Sequence, residues 1–143
     1  MAKILYTAHA HVTGGRDGHG RTSDGQLDVD LRVPTEMGGV GGGTNPEELF
    51  AVGYAACFES ALGGVARRQH VDVGDVAIDS AVRLLPAGGG AYKLAVTLDI
   101  RLPSVSDREV AVALIRDAHQ VCPYSNATRG NIDVDLLLAG EPI

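Results

Sequence analysis

The chain predicts an α+β fold in a single domain, residues 1–143, on three observations. Segments of alternating apolar and polar residues occur in neighbouring pairs, two long helical patterns lie among them, and hairpins outnumber crossovers. With 45% hydrophobic and 21% charged residues, a chain of this length can bury a core of its own.

Residues 4–13 alternate Ile4, Tyr6, Ala8, Ala10 and Val12 against Leu5, Thr7, His9, His11 and Thr13, which predicts a strand with one covered face. Gly14-Gly15-Arg16-Asp17-Gly18 follows as a turn that presents Arg16 at its tip. Leu27, Val29, Leu31 and Val33 alternate with charged residues and predict a second strand. The run 38–43 is too rich in glycine for regular structure.

A helix is expected straight after it. Asn45 caps, Pro46 fits a first turn that needs no N–H from it, and Glu47 and Glu48 sit at the positive end of the helix dipole. From Leu49 to Ala66 the only charged residue is Glu59. A helix apolar nearly all round is buried on all sides, which points to further copies of the chain as its cover. Gly53, Ala56, Ser60 and Gly64 form a small-residue stripe that suits such an approach and equally suits packing within one chain.

Val76, Ile78, Ser80, Val82 and Leu84 alternate on one side of residues 86–90, and Tyr92, Leu94, Val96, Leu98, Ile100 and Leu102 on the other, a hairpin pattern. Ser106 and Glu109 read as a capping box for a helix with Ala111, Leu114, Ile115, Ala118, Val121 and Cys122 on one face. Pro123 ends that helix, and Ile132, Val134, Leu136 and Leu138 supply a final strand.

Net charge of −6 with 12 scattered basic residues argues against nucleic acid or an anionic membrane as partner. No basic N-terminal segment leads into an apolar run, and no membrane span is expected, so a cytoplasmic location follows. A permanent structural disulfide does not suit that reducing compartment. The two cysteines, Cys57 and Cys122, are then either small buried hydrophobes or a reversible dithiol.

The thiolate is the nucleophile, and a free thiol is mostly protonated at neutral pH. Cys122 stands at a helix end of the wrong polarity, and Cys57 lies mid-helix, so a reactive Cys57 needs a cation beside it. Arg16 on its glycine-flanked turn is the candidate, with Glu47 as its bidentate counter-charge. In a continuous helix Glu47 and Cys57 lie ~15 Å apart along the axis. Either the helix breaks between them or a second subunit completes the site, and the apolar helix favours the second. His9, His11 and His19 carry no metal-ligand pattern with carboxylate or thiol, and the glycine run lacks the Gly-Lys-Ser/Thr of a phosphate loop.

Three stretches, Gly14 to Gly18, Thr44 to Phe58 and Val121 to Asn131, resemble the organic hydroperoxide resistance proteins, the Ohr subfamily of the OsmC/Ohr superfamily. The likeness extends over essentially the whole chain. It implies an OsmC/Ohr-like fold, antiparallel sheets wrapped around central helices in an intertwined homodimer, and a cysteine-based peroxidase of organic hydroperoxides, fatty-acid hydroperoxides included. By motif position Cys57 becomes the peroxidatic cysteine, Cys122 the resolving cysteine, Arg16 the activating cation and Glu47 its carboxylate. No metal or bound cofactor is implied; dihydrolipoamide on a lipoylated protein is the expected reductant. An apolar pocket beside Cys57 is expected from Phe50, Tyr54, Phe58 and a partner chain. Two rival readings are a peroxidase of the osmotically inducible protein C type and a non-catalytic dimeric binding protein whose cysteines pack.

Overall fold

A computed structural model of the chain describes residues 2–143. Two compact units divide it, one ending at Leu49 and the other spanning Phe50–Ile143.

The first unit is a three-stranded antiparallel sheet of β1 (Ala10–Thr13), β2 (Gly18–Thr22) and β3 (Asp28–Leu31), in that order. The first predicted strand is shorter than its alternation suggests. Ala10 lies opposite Thr22, and the chain turns there, with Thr22 N–H bonded to the Leu27 carbonyl. Residues 4–9 have therefore run past the end of β2, and Ile4, Leu5 and Tyr6 are exposed. β2 has no counterpart in the sequence reading, because Gly-His-Gly-Arg-Thr carries no apolar alternation.

α1 (Pro46–Arg68) is continuous, begins at the end of the first unit and runs on through the second. Asn45 caps it as expected, its Oδ1 accepting from Glu48 N–H at 2.8 Å. By length and composition α1 is apolar enough to cross a membrane, but one face of it, Tyr54, Phe58, Leu62, Val65 and Ala66, is buried in the protein's own core. Val52 on another face is 71% exposed, so a single chain leaves this apolar helix only partly covered.

In the second unit β4 (Ala77–Gly88) and β5 (Ala91–Arg101) form the expected hairpin, irregular between Pro86 and Gly88. α2 (Arg108–Val121), α3 (Pro123–Thr128), β6 (Val134–Leu138) and β7 (Glu141–Pro142) follow. The sheet order is β4-β5-β6-β7, and β5 pairs with β6 in parallel, so this sheet is mixed rather than antiparallel throughout. The reason is the α2–α3 connection, which brings the chain back to the starting end of β5.

The core joins the buried face of α1 to Val96, Leu98 and Ile100 of β5 and to Ala111, Leu114, Ile115, Ala118 and Cys122. That face of α2 is the predicted one, except that Val121 points outward and is 46% exposed. The cap of α2 is Asp107, whose carboxylate accepts from Glu109 and Val110 N–H, not Ser106 one residue earlier.

Because Phe58 is wholly buried in this cluster, Phe58→Ala is expected to cost about 3–5 kcal/mol. Chemical denaturation followed by far-UV circular dichroism measures it; a loss below about 1 kcal/mol contradicts the packing described here.

Candidate active site

The two thiols lie on elements that the core brings together. Cys57 is on α1, half-buried, and Cys122 is wholly buried at the junction of α2 and α3. Cys122 leaves the helical conformation (φ −65°, ψ 124°), its N–H bonds the Ala118 carbonyl, and its carbonyl accepts from Asn126 N–H. Pro123 therefore ends one helix and starts another, for which its missing N–H is no loss. The Cys122 thiol donates to the Cys57 sulfur across 3.6 Å, and neither is in a disulfide. A disulfide bond is about 2.05 Å long, so closing it requires an approach of roughly 1.5 Å.

Burial is the main influence on Cys57 and raises its pKa above the ordinary thiol value. The Tyr124 backbone N–H opposes it by donating to the sulfur, and the neighbouring Cys122 adds to the rise. These neighbours alone leave Cys57 a protonated thiol at neutral pH. The Tyr124 amide is a feature the sequence reading missed, since α3 is not legible beyond Pro123.

Tyr124 is itself held by side chains of α1. Its ring centroid lies 5.8 Å from that of Phe50 and 5.6 Å from that of Tyr54. Gly53 makes room for it, because a Cβ there would stand 3.0 Å from the Tyr124 hydroxyl oxygen. One member of the small-residue stripe thus serves packing within the chain.

The cavity onto which Cys57 opens, about 470 Å³, is lined by Ser60, Ala61, Gly64, Arg68, Val121 and Pro123. The expected wall of Phe50, Tyr54 and Phe58 is displaced. Tyr54 and Phe58 are wholly buried in the core, Tyr54 with its hydroxyl on Ser125 and Thr128, and Phe50 is half-buried edge-on to Tyr54. Residues one and two turns beyond Cys57 line the cavity instead, because the face of α1 that carries the large aromatics is the one the core claims. Arg68, in the last turn of α1, folds back over Gly64 and is the only charged group on this wall.

In the first unit Arg16 and Glu47 meet as expected. Arg16 Nη1 donates to Glu47 Oε2 at 2.8 Å and Nη2 to Oε1 at 2.7 Å, a bidentate pair. The Arg16 turn needs its glycines. Gly14 and Gly15 have φ of 76° and 57°, and a Cβ on Gly18 would stand 1.9 Å from the Thr13 carbonyl oxygen. Arg32, which the sequence reading passed over, braces the turn by donating Nη1 to the Gly18 carbonyl at 2.9 Å. Glu47 arrives because Thr44 bridges to Leu31, with Thr44 N–H on the Asp30 carbonyl and Arg32 N–H on the Thr44 carbonyl. The first turn of α1 is thereby tied to the end of β3.

The hydrogen bond with Arg16 is the main influence on Glu47 and holds its carboxyl below the ordinary carboxylate range, while the same bond raises Arg16. Glu47 is in the first turn of α1, ten residues before Cys57 in the sequence. His9 and His11 are exposed, His19 pairs with Asp28, and among the described residues no three His, Cys, Asp or Glu side chains are grouped to hold a metal.

The fold and these features define an α+β protein with an adjacent pair of free thiols and a separately built arginine–carboxylate pair. A family model described as OsmC-like protein matches residues 39–137. An organic hydroperoxide resistance protein of Xanthomonas axonopodis pv. citri is 53% identical over 139 residues, 96% of each chain. OhrB of Bacillus subtilis is 46% identical, covering 94% of this chain and 98% of its own. Among solved structures, an organic hydroperoxide resistance protein of Legionella pneumophila superposes with a TM-score of 0.92 at 50% identity, covering 96% of this chain and 99% of its own. One of Vibrio cholerae, with captopril bound in one of its active sites, gives 0.93 at 44% identity, covering 99% and 96%. The chain belongs to the OsmC-like family and, within it, to the organic hydroperoxide resistance proteins.

A depressed carboxyl contributes stability above its unfolded pKa and loses it as pH falls through the folded one. The Arg16–Glu47 pair is therefore expected to persist at neutral pH and to break only below the ordinary glutamate range. Carboxyl-carbon NMR of labelled Glu47 checks this: an inflection at or above the ordinary glutamate value in wild type overturns it, and in Arg16→Ala the inflection is expected to move up.

Proposed function

We propose that this chain is a thiol peroxidase that reduces organic hydroperoxides, with Cys57 as the peroxidatic and Cys122 as the resolving cysteine. The observation that carries the reading is the 3.6 Å approach of two free sulfurs, one opening onto a cavity and the other wholly buried. The relatives' shared name supplies the substrate class.

In the proposed cycle the Cys57 thiolate attacks the distal peroxide oxygen, the O–O bond breaks, and the substrate leaves as an alcohol after taking up a proton. Cys57 is left as a sulfenic acid. The Cys122 thiol attacks that sulfur, the S–O bond breaks, water leaves, and a Cys57–Cys122 disulfide forms. A lipoyl dithiol then returns two electrons and two protons, restoring both thiols and itself closing to a disulfide.

The first step requires a thiolate, and burial opposes one. The proposed remedy is Arg16. Two of its five N–H donors are committed to Glu47, which orients the guanidinium and leaves three to face a sulfur and the charge growing on the departing oxygen. Since an unbroken α1 separates Glu47 from Cys57, the proposed assembly is a homodimer in which one subunit's Arg16–Glu47 pair serves the partner's Cys57. The partly covered apolar faces of α1 support such an assembly.

Arg68 has no carboxylate partner among the described residues and stands on the cavity wall with Cys57. That arrangement suits a hydroperoxide whose apolar chain ends in a carboxylate, as in a fatty acid.

Mixing reduced protein with an alkyl hydroperoxide is expected to consume two thiols per chain and to yield one equivalent of alcohol, and Cys57→Ser is expected to consume no peroxide. Retention of both thiols in wild type favours a binding protein instead. The pH profile of Cys57 alkylation is expected to inflect below about 8.5 in wild type and above it in Arg16→Ala; identical profiles remove Arg16 from the site. Arg68→Ala should raise KM about threefold for a fatty-acid hydroperoxide and leave it unchanged for cumene hydroperoxide, as steady-state kinetics with both substrates will show.

A further inference from the structure

The elements that carry Cys57 and Cys122 are joined by a chain of buried and half-buried polar side chains that the reaction scheme does not use. His119 Nδ1 lies 2.8 Å from Ser125 Oγ, Ser125 Oγ lies 2.8 Å from the Tyr54 hydroxyl, and that hydroxyl lies 3.1 Å from Thr128 Oγ1. Thr128 Oγ1 is 2.9 Å from the Tyr124 carbonyl oxygen. Tyr54 and Ser125 are wholly buried and Thr128 nearly so.

The carbonyl fixes the direction of every bond. A carbonyl oxygen only accepts, so Thr128 spends its single hydroxyl hydrogen there. Tyr54 must then donate to Thr128, Ser125 to Tyr54, and His119 Nδ1–H to Ser125. Each hydroxyl donates once and accepts once in one continuous direction, the arrangement in which successive bonds reinforce one another. The chain requires a hydrogen on Nδ1, which both the neutral Nδ1–H tautomer and the imidazolium carry, so it survives protonation of His119.

Its members stand close in sequence to the two cysteines. Tyr54 precedes Cys57 by three residues, one turn of α1. His119 precedes Cys122 by three residues and Ser125 follows it by three. The last acceptor is the peptide carbonyl of Tyr124, whose N–H donates to the Cys57 sulfur. α3 has six residues, about half the length at which an isolated helix begins to hold itself in water. Its placement against α1 therefore depends on ties of this kind.

We propose that Tyr54, Ser125 and His119 are positioning residues that hold Cys122 and the Tyr124 amide against Cys57, and so decide whether an oxidised Cys57 closes to the disulfide or is oxidised further. The competing steps share the sulfenic acid. In one, the Cys122 sulfur attacks it and water leaves. In the other, its deprotonated form attacks a second hydroperoxide, gains one oxygen to become sulfinate and releases an alcohol. Closure requires an approach of roughly 1.5 Å, and rate falls steeply with misplacement of that size. Loss of the tie should thus slow closure and leave the bimolecular step untouched.

The inference rests on the peroxidase reading above, and the test separates the two. Ser125→Ala removes the central hydroxyl, Tyr54→Phe keeps the ring and removes its hydroxyl, and Ser125→Thr restores a hydroxyl at 125. Stopped-flow fluorescence and mass spectrometry with excess cumene hydroperoxide follow sulfenic acid, disulfide and sulfinate. For Ser125→Ala the expected result is closure about tenfold slower, a larger slowing than that of the first step, and a correspondingly larger sulfinate share. Tyr54→Phe should show the same slowing of closure, and Ser125→Thr should return both closure and sulfinate toward wild type. Folded variants with lowered Tm and wild-type partitioning mean that the chain serves stability alone and overturn the proposal. Diamide, which takes two electrons and two protons from the dithiol without any peroxide step, provides the independent arm. Disulfide closure after diamide should be slowed to a similar degree, and wild-type closure overturns the positioning role even if the protein is inert to hydroperoxides.

Discussion

The approach of the Cys122 sulfur to the Cys57 sulfur depends on a bend in the chain at the point where one helix has delivered its cargo. α2 buries Ala111, Leu114, Ile115 and Ala118, and the next residue in that stripe is Cys122. A helix that simply continued would carry the following residues away along its axis. Pro123 cannot accept that continuation, and the new direction it imposes turns the Tyr124 amide toward Cys57. One proline therefore does two things: it stops the helix with the thiol still in the core, and it starts the short segment that faces the other sulfur.

Burial is complete for Cys122 and partial for Cys57, and it disfavours ionisation of the Cys57 thiol. A sulfur in an apolar setting resists ionisation unless charge is brought to it. The first unit builds a guanidinium whose orientation is fixed from three sides: a turn only glycine can make, the Arg32 brace on the Gly18 carbonyl, and a carboxylate from the first turn of α1. Both half-sites include α1, Glu47 near its start and Cys57 past its middle. A single chain leaves part of the apolar surface of this helix uncovered, with Val52 exposed.

Much of the fold was legible because local patterns dictate local geometry. The alternation in Ala77–Gly88 and Ala91–Arg101, the buried stripe of α2 and the Asn45 cap are all read directly from residue type and spacing. Where the reading failed, a neighbour decided. Residues 4–9 alternate like a strand but lie beyond the end of β2, where the His9 carbonyl still accepts from Ser23 N–H but the ladder of β1 and β2 has ended. Gly18–Thr22 alternates in nothing and is a strand because Thr13 and Leu31 flank it. Ser106 and Asp107 are both competent caps, and which one closes the helix is settled by where the chain arrives from β5.

The candidate site divides along the same line. Residue identity by itself determined that there are two thiols, that a glycine turn displays an arginine, and that a carboxylate opens the helix bearing the first thiol, because these follow from side-chain chemistry and short-range spacing. Only the tertiary structure decided that sulfurs 65 positions apart stand 3.6 Å from each other. It also decided that Tyr54 and Phe58 belong to the core rather than to the cavity wall, and that the Tyr54 hydroxyl links His119, Ser125 and Thr128 into one hydrogen-bonded chain. Periodicity tells which face of an element is apolar, but what that face meets is fixed by the packing of elements far apart in the chain.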